Sequence, residues 1–152
     1  NMSYRVDHVN WQVNADEIML IREKVFVCEY RLPQDSEFDN IDRNCEHVFI
    51  RDNENTAIAT GRMCANGKIS RIAVLMKHRK HDVSSQVISK LLAIAKNKGL
   101  KKVYIDSELD DVEKYRKYGF NAISNVFMDA GIAKQALACP LDKFKSHNTI
   151  LH

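Results

Sequence analysis

Short apolar runs punctuated by polar turns, with longer stretches of helical spacing between them, organise this chain. Tyr4, Val6, His8, Val9 and Trp11 predict a first strand, and Asn14 with Glu17 three residues later predicts the start of a helix running through Ile18, Leu20, Ile21, Val25 and Phe26. Val48-Phe49-Ile50, then Ala57-Ile58-Ala59-Thr60, then residues 69–75 predict three antiparallel strands. Asp52-Asn53-Glu54-Asn55 and Asn66-Gly67 supply the turns between them, Asn-Gly being a strong hairpin signal. Val83, Val87, Ile88, Leu91, Leu92 and Ala95 recur at helical spacing, which predicts a helix over 83–98 with Gly99 as its left-handed cap. Val103-Tyr104-Ile105 predicts a strand buried on both faces, residues 110–118 a short helix ending at Gly119, and residues 120–127 and 133–138 the final strands. The expected class is therefore α/β in the α+β sense: a mixed, mostly antiparallel sheet with helices on both faces.

Length and composition narrow this picture only modestly. At 152 residues the chain fits one domain able to bury about two thirds of its unfolded surface. Residues 1–140 are expected to form that domain, with 141–152 as a polar, partly disordered tail. A net charge of +3 is too small to suggest nucleic acid or a membrane surface as partner. No apolar run approaches the roughly 20 residues of a membrane span, and Asp7, Asn10, Asp16 and Glu17 interrupt any signal-peptide pattern. Cys28, Cys45, Cys64 and Cys139 contain no Cys-x-x-Cys pair, so free thiols in a reducing cytoplasm are expected. The six histidines show no metal-ligand spacing, and Ser84-Ser85 lacks the Gly-x-Ser-x-Gly turn of a hydrolase.

The chemistry concentrates around residues 68–98. A buried strand feeds the basic run Lys77-His78-Arg79-Lys80-His81-Asp82, and that run opens a helix. Such a strand–loop–helix unit aims free backbone N–H groups at one point, which favours a bound phosphate.

Arg71-Ile72-Ala73-Val74-Leu75, the run from Arg79 to Ser84, and Tyr115-Arg116-Lys117-Tyr118-Gly119-Phe120 together resemble the core of the GNAT N-acetyltransferase superfamily. Glu29, Pro33, Glu37, Asp39, Asp42, His47, Thr60-Gly61-Arg62 and Gly131-Ile132 narrow the resemblance to its ElaA-like branch. It covers residues 18–138 and implies transfer of an acetyl group from acetyl-coenzyme A to an amine, by direct attack in a ternary complex. The implied acceptor is a small-molecule or peptide amine, and the implied enzyme is a cytoplasmic monomer or homodimer.

The resemblance implies site residues as well. Ile72, Ala73 and Val74 would present main-chain N–H groups to the thioester carbonyl and pantetheine, an oxyanion-hole arrangement. Arg79, Lys80, His81, Asp82, Val83, Ser84 and Ser85 would surround the diphosphate. The superfamily's loop reads Arg/Gln-x-x-Gly-x-Gly/Ala, and here Asp82 and Ser84 stand in the glycine slots. Aspartate adopts positive φ less freely than glycine, and its carboxylate is able to cap the N–H groups a phosphate would use. Like charges about 4 Å apart repel by ~4 kcal/mol at an effective dielectric of about 20. Retained coenzyme A binding, a lost cofactor site in a non-catalytic binding protein, and a basic patch for some other anion all stay open at this point.

Tyr115 takes the place of the superfamily's general acid; a phenol with an ordinary pKa near 10 is able to protonate a departing thiolate. Glu37 in the acidic loop and Glu108 at a strand end are candidate bases, and Tyr118 reads as core. Glu108, Lys114 and Lys134 stand where the branch usually has Gln, Phe and His. The acidic residues of 29–46 either bind a cationic acceptor, pair internally or are solvated.

Overall fold

The computed structural model describes residues 4–32 and 39–146, apart from the side chains of Lys80 and His81. The strands are β1 (Arg5–Val9), β2 (Glu46–Arg51), β3 (Ala57–Met63), β4 (Lys68–Val74), β5 (Lys102–Glu108), β6 (Asn121–Ala122), β7 (Phe127–Asp129) and β8 (Ile132–Pro140). The helices are α1 (Trp11–Arg22), α2 (Val83–Asn97) and α3 (Val112–Tyr118). All eight strands form one sheet in the order β1-β2-β3-β4-β5-β8-β6, with β7 also on β8. Every pairing is antiparallel except β4 with β5. The mixed, mostly antiparallel sheet expected from the sequence is the one observed.

Helices cover both faces. On one, Val83, Val87, Ile88, Leu91 and Ala95 of α2 bury against Val48, Ile50, Ile58, Ile69 and Val103. On the other, Ile18 and Ile21 of α1 bury against Phe49 and Ala73. Gly61 of β3 has a steric reason: a Cβ there would collide with Val87 Cγ1, so only glycine lets α2 lie this close to the sheet. Burying such side chains contributes about 1.5–3 kcal/mol each, enough to hold both helices without help from strong intrinsic propensity.

Four expectations need correction. The helix start is Trp11 rather than Asn14: Asn10, in extended conformation, accepts the Gln12 N–H at 2.8 Å. Asn14 and Glu17 instead bond side chain to side chain at 3.3 Å. A seven-residue π-helical stretch, Glu23–Glu29, prolongs α1; its wider turn keeps Val25 in the core while Phe26 and Tyr30 reach the cleft described below. The strand expected over 120–127 is broken into β6 and β7, which pair with different parts of the same edge of β8. Two short pieces expose less continuous unpaired backbone than one long edge strand would. Finally, residues 141–146 are not a loose tail. Leu141 and Phe144 pack on the main core, and the Lys145 N–H donates to Tyr118 O at 2.8 Å. Gly119 makes room for them: it sits at φ 110°, and a Cβ there would strike Lys143 O.

Candidate active site

β4 and β5 pair only at Lys68↔Tyr104 and Ile69↔Ile105, then diverge. The gap between them opens a cleft of about 670 Å³, lined from the π-helical stretch after α1, β3, β4, the start of α2, β5, α3, β7 and β8. A bulge shapes its β4 wall. The register to β3 shifts between Thr60 and Arg62, and Arg71 adopts a left-handed φ of 53°. For a non-glycine residue that conformation costs about 1–2 kcal/mol, a strain typical of functional sites.

Hydrogen-bond alternation then decides which amides face the gap. The Leu75 N–H donates to Ile58 O at 2.9 Å, so Ala73, paired with Thr60, also turns its backbone to β3. Val74 and Ile72 turn theirs to the open edge, and both line the cleft. Ala73, expected among the carbonyl-binding residues, is instead buried under α1.

The basic run beyond β4 is a 3₁₀ stretch, Met76–His81, rather than an irregular loop. Arg79 is anchored at both ends of its guanidinium. Its Nε donates to Val74 O at 2.9 Å and its Nη2 to Glu29 at 2.8 Å. That pair ties the end of the π-helical stretch to the end of β4 and lowers the Glu29 pKa through the Arg79 hydrogen bond.

Asp82 behaves unlike the capping carboxylate the sequence suggested. It adopts the left-handed conformation a glycine would supply, at φ 54°, and makes no side-chain cap to α2. Its two oxygens accept from Tyr118 Oη at 2.8 Å and Ser85 Oγ at 2.7 Å. The first N–H groups of α2 are therefore left without a carboxylate cap. Val83 is core, Ser85 is buried on Asp82, and Ser84 lines the cleft.

Tyr115 and Tyr118 stand side by side on α3, their rings edge-on with centroids 6.1 Å apart. Burial, then Asp111, Tyr118 and Glu108, raise the Tyr115 pKa, so its hydroxyl keeps its proton across the neutral range. Burial and the bond to Asp82 push Tyr118 up to about 12, placing in the site a residue read from sequence as core alone. Lys114 Nζ lies 5.0 Å from the Tyr115 ring centroid. Glu108 ends β5 and lines the cleft within electrostatic reach of Tyr115. Glu37, the other candidate base, lies outside the described residues.

The acidic loop is mostly committed to internal partners. Asp42 is buried between Arg22 at 3.0 Å and Arg62 at 2.8 Å, and its carbonyl accepts from His47 Nε2 at 2.8 Å. Trp11 stacks on His47 at 4.9 Å, which makes that histidine structural. Asp39 receives both Arg62, at 2.8 Å, and Arg71, at 3.2 Å; the Arg62 hydrogen bond leads in lowering its pKa to about 2. Glu46 is shared by His8 and Lys98. The hint of a cationic acceptor drawn from these acids therefore loses Glu29, Asp39, Asp42 and Glu46.

Asp106 and Asp129 escaped sequence reasoning, and Lys134 was marked there only as a departure from the branch pattern. Lys68 pairs with Asp106 at 2.7 Å and Lys134 with Asp129 at 2.9 Å, and both pairs line the cleft. The tight turn at Ala130-Gly131, both at positive φ, was the available sign of a β7–β8 hairpin that brings Asp129 over Lys134. Among the described residues no group of three or more His, Cys, Asp or Glu side chains is arranged to hold a metal ion, and no helix is long and apolar enough to cross a membrane.

Comparison with known proteins agrees with this geometry. The family model described as "Acetyltransferase (GNAT) domain" matches residues 15–140. The chain is 32% identical over 116 residues to the uncharacterized N-acetyltransferase YjcF of Bacillus subtilis strain 168, covering 74% of this chain and 82% of that protein. A crystal structure from Lactobacillus plantarum superposes with a TM-score of 0.84 at 21% identity, covering 91% of this chain and 99% of the other. Escherichia coli ElaA superposes with a TM-score of 0.72 at 20% identity, over the same shares.

Proposed function

This chain belongs to the GNAT acetyltransferase family, and on that premise we propose that it moves an acetyl group from acetyl-coenzyme A to an amine by direct attack in a ternary complex. The observation that carries the proposal is the Asp82 carboxylate turned onto Tyr118 and Ser85, because the N-terminus of α2 is left open to an anion. A helix N-terminus presents several N–H donors and roughly half a positive charge, so the diphosphate is held by main chain rather than by the replaced glycines. Arg79, clamped by Glu29 and Val74, fixes the corner where β4 meets this loop.

In this reading the open-edge N–H groups of Ile72 and Val74 bind pantetheine and the thioester oxygen, steadying the charge that forms there when the amine attacks. Glu108, directly or through water, takes a proton from the ammonium form. The neutral amine then attacks the carbonyl carbon, the carbon–sulfur bond breaks, and Tyr115, whose hydroxyl burial keeps protonated, gives its proton to the departing thiolate and regains one from the nitrogen of the new amide. The acceptor would be a small-molecule or peptide amine and the setting the cytoplasm.

Two measurements test this. Calorimetric titration should detect acetyl-coenzyme A binding, and release of free thiol should depend on an added amine. Binding that is absent at millimolar acetyl-coenzyme A would defeat the proposal; amine-independent thiol release would replace transfer with hydrolysis.

A further inference from the structure

We propose that Tyr118 is a positioning residue for the cosubstrate, a role that rests on the reading above in which the N-terminus of α2 holds the diphosphate. Its hydroxyl draws the Asp82 carboxylate away from that N-terminus, so that an aspartate in a glycine slot stays compatible with an anionic ligand. Two arrangements compete for Asp82. In this structure it is left-handed, at φ 54° and ψ 36°, and its oxygens accept from Tyr118 Oη at 2.8 Å and Ser85 Oγ at 2.7 Å. The alternative is the extended conformation usual for an N-cap, in which a carboxylate accepts from the second or third N–H of the helix, here Ser84 or Ser85. That arrangement would put a negative charge where the diphosphate is to lie.

Local chemistry favours the alternative. Aspartate is among the best N-caps, and it enters the left-handed region less freely than glycine. Ser85 belongs to the same turn, three residues on, and its Oγ also donates to the Asp82 carbonyl at 3.1 Å. Tyr118 is different: it comes from α3, 36 residues away, and pulls from outside the turn. Its ring is held in place, buried, edge-on to Tyr115 at 6.1 Å and tilted against Phe144 at 6.0 Å. Its carbonyl accepts the Lys145 N–H at 2.8 Å, so residues 141–146 brace it as well. Burial and the bond to Asp82 keep the hydroxyl protonated through the neutral range, and a hydroxyl bonded to a carboxylate is a charge-assisted donor.

Asp82 and Tyr118 therefore act as a pair. The ligand tolerates the aspartate because of the tyrosine, and the tyrosine hydroxyl matters to the ligand only because of the aspartate. The two rings of α3 divide the work: Tyr115 donates a proton, and Tyr118 acts on the cosubstrate through Asp82 alone.

The test is a double-mutant cycle read by calorimetric titration with coenzyme A and with S-acetylpantetheine, which has no diphosphate. Tyr118→Phe should weaken coenzyme A about fivefold to thirtyfold relative to S-acetylpantetheine, the range spanned by a charge at a helix terminus. Made in the Asp82→Gly background, the same substitution should move that ratio by less than about twofold. Equal losses in both backgrounds would mean that Tyr118 touches the cosubstrate or supports the fold directly, and they overturn the proposal, as does no loss in either. In turnover, Tyr118→Phe should raise the KM for acetyl-coenzyme A more than it lowers kcat; a fall in kcat at unchanged KM makes Tyr118 a proton donor and also overturns it. A readout without cosubstrate separates this proposal from the diphosphate reading. In amide NMR, the Ser84 and Ser85 N–H resonances of Tyr118→Phe should follow the titration of the Asp82 carboxylate far more strongly than in the parent protein, and the Asp82→Gly double variant should lose that response. If they do, the Tyr118–Asp82 coupling stands even where coenzyme A fails to bind, and only the diphosphate reading falls. If they do not, the coupling falls even where coenzyme A binds tightly.

Discussion

The two ends of the cleft handle charge in opposite ways. At the α2 end the described charged side chains that line the cleft are held by protein partners: Arg79 by Glu29 and Val74 O, Asp82 by Tyr118 and Ser85. Neither blocks the main-chain N–H groups that open α2. At the β7–β8 end the charges stand half-exposed in exchangeable pairs, Lys68 with Asp106 and Lys134 with Asp129. A grip made of backbone tolerates substitution, so Asp82 is able to replace a glycine without closing the site, provided it keeps φ at 54°. Recognition made of side chains changes with each substitution. On the proposed reading, the first end would hold the cosubstrate and the second would face the acceptor.

The strongest way to break the comparison is to remove the support beneath both ends. Asp42→Ala strands Arg22 and Arg62 without their buried partner and should cost about 3–5 kcal/mol of stability in a denaturant titration. A change under about 1 kcal/mol would mean the network is solvated rather than structural. Tyr115→Phe acts where the two ends meet. It should lower kcat by ~10²–10⁴-fold under conditions where chemistry limits turnover, while leaving acetyl-coenzyme A affinity within a few-fold. Unchanged kcat would remove the hydroxyl from the mechanism.

Asp82→Gly sharpens the contrast. If the carboxylate is turned aside, deleting it should shift acetyl-coenzyme A affinity by no more than about fivefold, the scale of a partly exposed charge. A hundredfold gain on calorimetric titration would show that Asp82 obstructs the diphosphate after all.

The smallest effect is acid sensitivity at Asp39. Arg62 and Arg71 hold the Asp39 pKa at about 2, below its unfolded value, so its contribution to stability is present above about pH 4 and disappears as pH falls toward 2. In Asp39→Asn the stability–pH curve should be flatter over that window than in the parent protein.

Much of this molecule was legible beforehand. Apolar periodicity located α2 and strands β2 to β5, and the ordered motifs at 71–75, 79–84 and 115–120 fall around one cleft in the fold. Local composition was less informative where two segments compete for the same role. Asn10 and Asn14 both suit a helix cap, and it is Asn10, in extended conformation, that accepts the Gln12 N–H. Asp82 has the chemistry of an N-cap, yet Tyr118, 36 residues away, takes its carboxylate. The acids of 29–46 resemble a cation site until Arg22, Arg62, Arg71 and Arg79 arrive from four separate places in sequence to pair with them. Long-range pairing is invisible to spacing, and it is pairing that separates a structural charge from a recognising one.

Backbone amide NMR tests the central claim, that main chain at the start of α2 holds the cosubstrate, most directly. With saturating coenzyme A the amide resonances of residues 83–85 should move together with those of Ile72 and Val74. With S-acetylpantetheine, which lacks the diphosphate, only the β4 amides should move. Saturation by coenzyme A that leaves residues 83–85 unshifted would contradict the account.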